Sequence, residues 1–427
     1  MGQKAPTRDL ETLRADLSAI VGAEQIQSAT PADAINAVQP QLVVAPGNAA
    51  EVAAVLRLAG SAGLHIAPRG GGSKLGWGNP PRRVDVILTL HRLDRVVEHA
   101  WADMTTTVEA GCTVAQLQRT LAVHGQRLAL DPLWPETATV GGILASNDSG
   151  SLRARYGTLR DLILGVTIAL PDGTLARSGG KVVKNVAGYD LPKLMTGALG
   201  TLGVIVEATF RLYPLPTDQR CVRFVASEVG PLHRLVLQVL DSTLVPTGVQ
   251  LHVRHDGPAA LDLRFEGIDA AIDGQLAQLA QLARGMVGEP ILADMWPRGE
   301  TLWNDAAMAL VCKISVLPTQ LEALVQALER VAQPLRLSWE LIAQAVGTGL
   351  VRIAGANEQA LLAALGVLRA DIARLPGSLV VLHCPLAVKS RIDVWGADAG
   401  ALPLMRRVKE RFDPQHVLNP GRFVGGI

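Results

Sequence analysis

Two kinds of hydrophobic pattern alternate along the first half of this 427-residue chain. Short apolar runs at 41–45, 64–68, 84–90 and 105–109 have the length of strands, and residues 49–58 repeat apolar side chains at helical spacing. Asn48 stands at the N-cap position of that helix with Glu51 three residues on, which predicts a capping box. Gly60 or Gly63 is placed to end it. Strand, helix and strand in that order form a β-α-β unit. Amphipathic helices are also expected at 8–20 and at 114–124, the second with Thr113 as its N-cap and Gly125 at its C-terminal end. Further strands are expected at 162–170, turning at Pro171-Asp172-Gly173 into 174–178, and at 204–213, where Glu207, Thr209 and Arg211 alternate with apolar neighbours.

Pro214 and Pro216 mark a change of character. Glycine thins out, and strand-like runs at 221–226, 248–255 and 261–266 are interleaved with helical patterns at 232–240 and 275–284. A second set repeats that order, with strands at 308–316, 350–354 and 379–384 and helices at 320–331 and 358–373. Two such units predict a duplicated, ferredoxin-like antiparallel sheet covered by helices. The fold class is therefore α+β. Its expected parts are an N-terminal helical extension (1–32), a glycine-rich domain of two α+β subdomains (33–216), a cap domain (217–403) and a C-terminal segment that returns to the glycine-rich domain (404–427).

Composition narrows the function classes. Lys plus Arg number 40 against 39 Asp plus Glu, so global charge gives no reason to bind nucleic acid or anionic lipid. Cys112, Cys221, Cys312 and Cys384 lie far apart without a Cys-x-x-Cys pair. That spacing offers no iron–sulfur or structural zinc site and no disulfide framework. The N-terminal residues are charged and lack the apolar core of a secretory signal. No run approaches the ~18 apolar residues that a spanning helix needs. The expectation is a soluble protein of a reducing cytoplasm with no transmembrane segment, reaching a membrane only through partners.

Candidate chemistry concentrates in glycine-rich stretches. The strand at 64–68 runs into Arg69-Gly70-Gly71-Gly72-Ser73-Lys74. Successive amides with mixed φ signs make an anion-binding nest, and flanking cations add charge, which suits a pyrophosphate. Leu75 and the Gly78-Asn79-Pro80-Pro81 turn rule out a Rossmann fingerprint, and no Gly-Lys-Ser/Thr supplies a Walker loop. A second stretch pairs Thr139-Val140-Gly141-Gly142 with the small residues Ala145, Ser146, Asn147, Ser149 and Gly150, letting backbone approach a flat or anionic ligand. Arg155-Tyr156-Gly157 and a run at 179–191 follow, and then a turn with Gly197, Gly200 and Gly203 that feeds Val204 and Ile205.

Taken together and in order, these motifs resemble the FAD-binding fold of the vanillyl-alcohol-oxidase and p-cresol-methylhydroxylase (PCMH) family. The resemblance covers most of residues 33–216 plus Asp413-Pro414 and Leu418-Asn419-Pro420-Gly421. It implies FAD as cofactor, with Arg69, Gly70, Gly71, Gly72 and Ser73 as the pyrophosphate loop. Thr139, Val140, Gly141, Gly142, Ser146, Asn147, Ser149 and Gly150 would run along the flavin. Arg155, Tyr156, Gly157, Gly200, Gly203, Val204, Ile205 and Asn419 would complete the cradle. Within the family, residues 179–214 are most similar to the smaller FAD-binding subunits of bacterial glycolate oxidases. That similarity implies a larger flavin subunit and an iron–sulfur subunit as partners. It also implies oxidation of a small 2-hydroxy acid, glycolate, to glyoxylate, with electrons passed to the iron–sulfur subunit.

The departures from the family pattern matter as much. Many relatives attach the flavin through a His in the pyrophosphate loop, whereas residues 69–74 contain none and His65 lies upstream on the strand, so non-covalent FAD is expected. Relatives that oxidise 2-hydroxy acids usually read Gly-Ser-Glu-Gly where this chain has Gly197-Ala198-Leu199-Gly200, and they carry a metal-binding His cluster in the cap. Here His252 and His255 fall three apart in a strand, on opposite faces, and no metal site is expected. A 2-hydroxy acid needs a cation for its carboxylate and a base near its hydroxyl. Arg391 and His383, at the end of the last cap strand, are the candidates. Three functions stay open: a redox-active subunit of the complex, a non-catalytic FAD-containing assembly subunit, and a stand-alone FAD-dependent D-2-hydroxy acid dehydrogenase.

Overall fold

A computed structural model describes residues 10–181, 188–396 and 400–427. The start of the first expected helix and the centre of the 179–191 run, residues 182–187, lie outside the described residues. The described chain clusters into two units. One holds the N-terminal part up to Ser149, Thr158–Pro214 and residues 400–427, and the other holds Gly150–Gly157 and Leu215–Gly396.

In the first unit the long helix Ala49–Ala62 starts as its sequence requires: the Asn48 side chain accepts the Glu51 amide, and Glu51 reaches back to the Gly47 amide. It continues through Gly60 and closes at Gly63, whose φ of 65° is left-handed. Gly60 is glycine for another reason, since a Cβ there would come 2.9 Å from Gln415 Oε1 of the C-terminal tail. Strands β1 (Ile26–Ser28), β2 (Leu42–Val44), β3 (Ile66–Arg69) and β4 (Val86–Thr89) form a sheet in the order β1-β2-β4-β3. β4 lies parallel between β2 and β3, so the crossover through the helix skips one strand position. Behind it, β5 (Val96–Ala100), β6 (Thr105–Glu109), β8 (Ile163–Ala169), β9 (Leu175–Gly179) and β10 (Val204–Arg211) form an antiparallel sheet in the order β5-β6-β10-β8-β9. The short strands β7 (Gln126–Arg127) and β11 (Tyr213–Pro214) pair with each other. One apolar core, including Leu56, Leu88, Val108, Leu144 and Phe210, runs between the layers.

Two features of this unit depart from the sequence reading. β5 is an edge strand whose side chains are only partly buried, so its pattern carries no strong alternation. The Gly141-Gly142 step lies inside a helix, Val140–Ser146, capped by Thr139, whose side chain accepts the Gly142 amide. Glycine suits position 141 because a Cβ there would come 2.9 Å from the Ala110 Cβ. A signal of close packing therefore looks, in sequence, like a loop.

The second unit is a duplication. Its strands are β12 (Asp218–Ala226), β13 (Gly248–Arg254), β14 (Ala259–Gly267), β15 (Gly288–Ile291), β16 (Ala309–Ser315), β17 (Ser338–Gln344), β18 (Thr348–Ala354) and β19 (Ser378–His383). They form one eight-stranded antiparallel sheet ordered β15-β12-β14-β13-β17-β18-β16-β19. Each half runs β-α-β-β-α-β, the ferredoxin-like order, and the halves join where β13 pairs with β17. The helices Val229–Leu240, Asp269–Leu282, Leu321–Ala332 and Glu358–Arg374 bury their apolar faces against one side of the sheet, with Phe265, Leu310, Leu341 and Val351 beneath them. β15 and β17 escaped the sequence reading. β15 reads Gly-Glu-Pro-Ile on the sheet edge, and β17 mixes Ser338, Glu340 and Gln344 among its apolar residues.

Candidate cofactor site

Burial of β3 between β4 and the tail fixes where its C-terminal end delivers the chain. Ile66 donates to the Val417 carbonyl at 2.7 Å and accepts from the Asn419 amide at 3.0 Å, so the tail runs as a short parallel partner of β3. Beyond Arg69 the backbone enters Gly70-Gly71-Gly72-Ser73. A Cβ at Gly70 would overlap the Thr139 side chain, and one at Gly71 would overlap the Thr137 carbonyl oxygen. Of these three glycines only Gly72 has a left-handed φ, 77°. Two of them are thus required for contact with the Thr137–Thr139 segment, and one for the turn itself.

The opposite wall is a turn with two consecutive left-handed residues, Leu199 (φ 49°) and Gly200 (φ 65°). A left-handed leucine is strained and persists only where its surroundings hold it. Here its amide donates to the Ala145 carbonyl at 2.8 Å, and its carbonyl accepts from Asn419 Nδ2 at 2.7 Å. Between these walls lies a cleft with about 840 Å³ of free space, counting the part open to solvent. The residues of the sequence reading that line it are Arg69, Gly70, Gly71, Gly72, Ser73, Thr139, Gly141, Gly142, Ser146, Gly200, Gly203, Val204, Ile205 and Asn419. Lys74, the second cation of the loop, lines it too, as do Leu199, Met195, Ala198 and Arg422, which were not singled out as site residues.

Other expected members lie elsewhere. Val140 is fully buried in the core beneath the cleft. Asn147 and Ser149 are not among its lining, and their Oδ1 and Oγ atoms are buried with no hydrogen-bond partner among the described residues. Gly150, Arg155, Tyr156 and Gly157 pack within the second unit, where the Tyr156 hydroxyl donates to Glu266 at 3.4 Å and Arg155 is exposed.

The charges of the loop are not disposed as its sequence suggests. Arg69 pairs with Asp33 at 2.6 Å, and Asp33 is held below the usual carboxylate range by the Thr30 amide and then by Arg69. Lys74 is buried, donating to the Leu133 carbonyl at 3.0 Å and pairing with Asp148 at 3.1 Å, with the Trp134 and Trp77 rings 5.4 and 5.8 Å away. Both cations serve the loop's internal structure before they serve an anion. Arg422 is fully buried beside the cleft, donating to the Leu75 and Trp77 carbonyls and to Asn419 Oδ1, and burial pushes its pKa down to about 10.

Comparison with known proteins identifies what such a cleft holds. Residues 40–179 match the FAD binding domain family, and residues 394–423 match the C-terminal domain of FAD linked oxidases. The first unit carries a PCMH-type FAD-binding domain, and the chain is an FAD-linked oxidoreductase. D-lactate dehydrogenase of Archaeoglobus fulgidus is 27% identical over 92% of this chain and 94% of its own length. Glycolate oxidase subunit GlcD of Bacillus subtilis is 29% identical over 49% of this chain, so the match spans less than half, 45%, of that relative. D-2-hydroxyglutarate dehydrogenase of Xanthomonas citri pv. viticola is 32% identical over 50% of this chain and 44% of its own. Among solved structures, p-cresol methylhydroxylase with substrate bound superposes with a TM-score of 0.76 at 15% identity, covering 96% of both chains. An alkyldihydroxyacetonephosphate synthase gives 0.77 at 18% identity, over 99% of this chain and 88% of that one. At these identities the two structures establish the shared fold.

The residues present fit FAD. The glycine loop and Ser73, which line the cleft, offer backbone amides and a hydroxyl for phosphates. Bound FAD supplies hydride acceptance from a substrate carbon, while the protein positions and excludes water. Among the described lining residues none is His, Cys or Tyr. His65, upstream, is engaged through Nδ1 by Asp85 at 3.2 Å. Acid precipitation should therefore release all the flavin into the supernatant, and yellow colour retained on the denatured protein would refute non-covalent binding.

The two candidate catalytic residues lie in the second unit. His383 is half-buried at the end of β19 and donates from Nε2 to the Ala306 carbonyl at 3.0 Å, so its proton is on Nε2 and Nδ1 is the acceptor. Burial holds its pKa below the ordinary histidine value. Arg391 is exposed just beyond the short helix Leu386–Lys389. His252 is bonded to Glu340 across β13 and β17 at 2.7 Å, a satisfied pair on the sheet face away from the helices. Among the described residues no group of three His, Cys, Asp or Glu side chains converges as metal ligands would.

Proposed function

We propose that this chain is the FAD-binding subunit of a complex that oxidises a small 2-hydroxy acid, glycolate in the first instance, and passes electrons to an iron–sulfur partner beside a larger flavin subunit. The cleft between the glycine loop and the Leu199–Gly200 turn carries the reading. The hydroxy-acid enzymes among its relatives supply the substrate class. Purification with and without candidate partners, scoring bound flavin and glycolate-dependent dye reduction, tests it. Dye reduction by the isolated chain would favour a stand-alone D-2-hydroxy acid dehydrogenase, a reading supported by the archaeal relative matched over nearly its full length.

A second reading places substrate oxidation on the larger partner, with this chain holding FAD for assembly or electron transfer. It is favoured by the exposure of Arg391 and by Leu199 on the cleft wall, where an acid is usual in catalytic relatives. Losing a carboxylate-binding Arg from a working site removes a charge-assisted contact of about 1.5–3 kcal/mol, roughly ten- to a hundredfold in turnover efficiency. In the intact complex, Arg391→Ala is expected to leave kcat/KM for glycolate within about twofold, as a surface change does. A tenfold loss with full flavin content would instead place catalysis on this subunit.

A further inference from the structure

We propose that the buried Lys409–Asp413 pair is the positioning element of the cofactor cleft, clamping the strained Leu199–Thr201 turn through the C-terminal return. Lys409 lies in the helix Leu402–Phe412, one turn before Asp413, and the two side chains are 2% and 0% exposed. The ammonium finds three acceptors on three segments: Asp413 Oδ2 at 2.6 Å, the Thr201 carbonyl at 2.8 Å and the Leu418 carbonyl at 2.9 Å. The carboxylate in turn accepts the Val417 amide at 2.9 Å and the Leu418 amide at 2.8 Å. Every donor of the ammonium is used.

Such a pair adds little stability over a well-packed apolar residue, because desolvating two charges offsets their attraction. What it supplies here is register. The residues it fixes, Val417 and Leu418, lead directly to Asn419, and Val417 and Asn419 bracket Ile66 in β3, three residues before the glycine loop begins at Arg69. Asn419 then holds the Leu199 carbonyl, while Lys409 itself holds the Thr201 carbonyl. The turn with two successive left-handed residues is thus gripped at both ends from the tail. Without that grip Leu199 has a less strained conformation to relax into, and the wall opposite the glycine loop moves. Lys409 and Asp413 act through Asn419 and Thr201, and no contact of their own with FAD is required.

The test uses the full chain and reads FAD affinity by flavin fluorescence titration of apoprotein. Lys409→Met/Asp413→Asn, which removes both charges together, should weaken FAD binding roughly tenfold or more. The bound flavin's absorbance should lose its resolved shoulders, and circular dichroism should stay that of the folded protein. In a Leu199→Gly background, where the turn carries no leucine strain, the same double change should cost no more than about threefold. A dissociation constant within twofold of wild type, or a loss undiminished by Leu199→Gly, would overturn the proposal. Hydrogen exchange on the unmodified protein serves if the variants do not fold. FAD should slow exchange of the Val417, Leu418 and Asn419 amides along with those of residues 70–73, and protection confined to the glycine loop would also overturn it.

Discussion

Gly71→Val is expected to abolish FAD binding, and Gly71→Ala to weaken it already by roughly tenfold or more. The cause is contact. The first atom of any side chain at position 71 would overlap the Thr137 carbonyl oxygen, which is backbone and can yield only by moving the segment that leads into the Val140–Ser146 helix. Forcing atoms into such a space costs about 1–3 kcal/mol or more, and here the displaced element is itself a wall of the cleft. Gly72 is the internal control. It has the left-handed φ, yet the nearest atom to its Cβ position is Arg69 Cδ at 3.9 Å. Gly72→Ala should cost only the conformational term of about 1–2 kcal/mol. Fluorescence titration of apoprotein, with circular dichroism to confirm folding, gives the comparison. Full flavin occupancy in a folded Gly71→Val protein would show that this loop does not cradle the cofactor.

Lys74→Met should destabilise the first unit by about 3–5 kcal/mol, the usual cost of leaving one member of a buried ion pair without its partner. Methionine keeps most of the stem, so the loss is of the charge. Asp148, with 11% of its side chain exposed, would keep the Leu133 amide at 2.9 Å but lose its counter-ion. The two Trp faces beside the ammonium would lose a cation that they attract by about 2 kcal/mol when desolvated. Urea unfolding should show the transition of the first unit at lower denaturant with that of the second unchanged. Lys74→Met/Asp148→Asn should recover much of the difference, because no charge is then stranded. A single variant as stable as wild type would mean that the pair is solvated in the folded protein.

Periodicity carried the second unit because its helices are amphipathic. Residues 321–332 bury Leu321, Leu324, Val325, Leu328 and Val331 at helical spacing, and that stripe is written in one dimension. Two such helices per half, each following a strand, are enough to predict the duplicated sheet. What the pattern could not supply was the strands without alternation. β15, with Glu289 and Pro290 on an edge, is defined by its partner β12 and not by its own residues.

The cofactor motifs were legible because several glycine-rich and small-residue stretches occur in the order of a known family. Their reasons were not. From sequence, the glycines at 70, 71 and 141 suggest turns, yet tertiary contact with Thr139, Thr137 and Ala110 is what excludes a side chain, and Gly141 lies inside a helix. Arg69 and Lys74 suggest anion clamps until the fold brings Asp33 and Asp148 to them, from 36 residues before Arg69 in the first case and from the segment beside Ser149 in the second. The sequence by itself offered a glycine-lined site for a flat or anionic ligand and the doubled sheet, since both follow from residue size and local periodicity, while FAD as that ligand followed from the resemblance of the ordered motifs to a known family. The tertiary structure alone decided which charges are spent internally, why leucine stands left-handed at 199, and how Lys409 reaches Thr201 across 208 residues of chain, because a close approach between distant segments leaves no mark on either one.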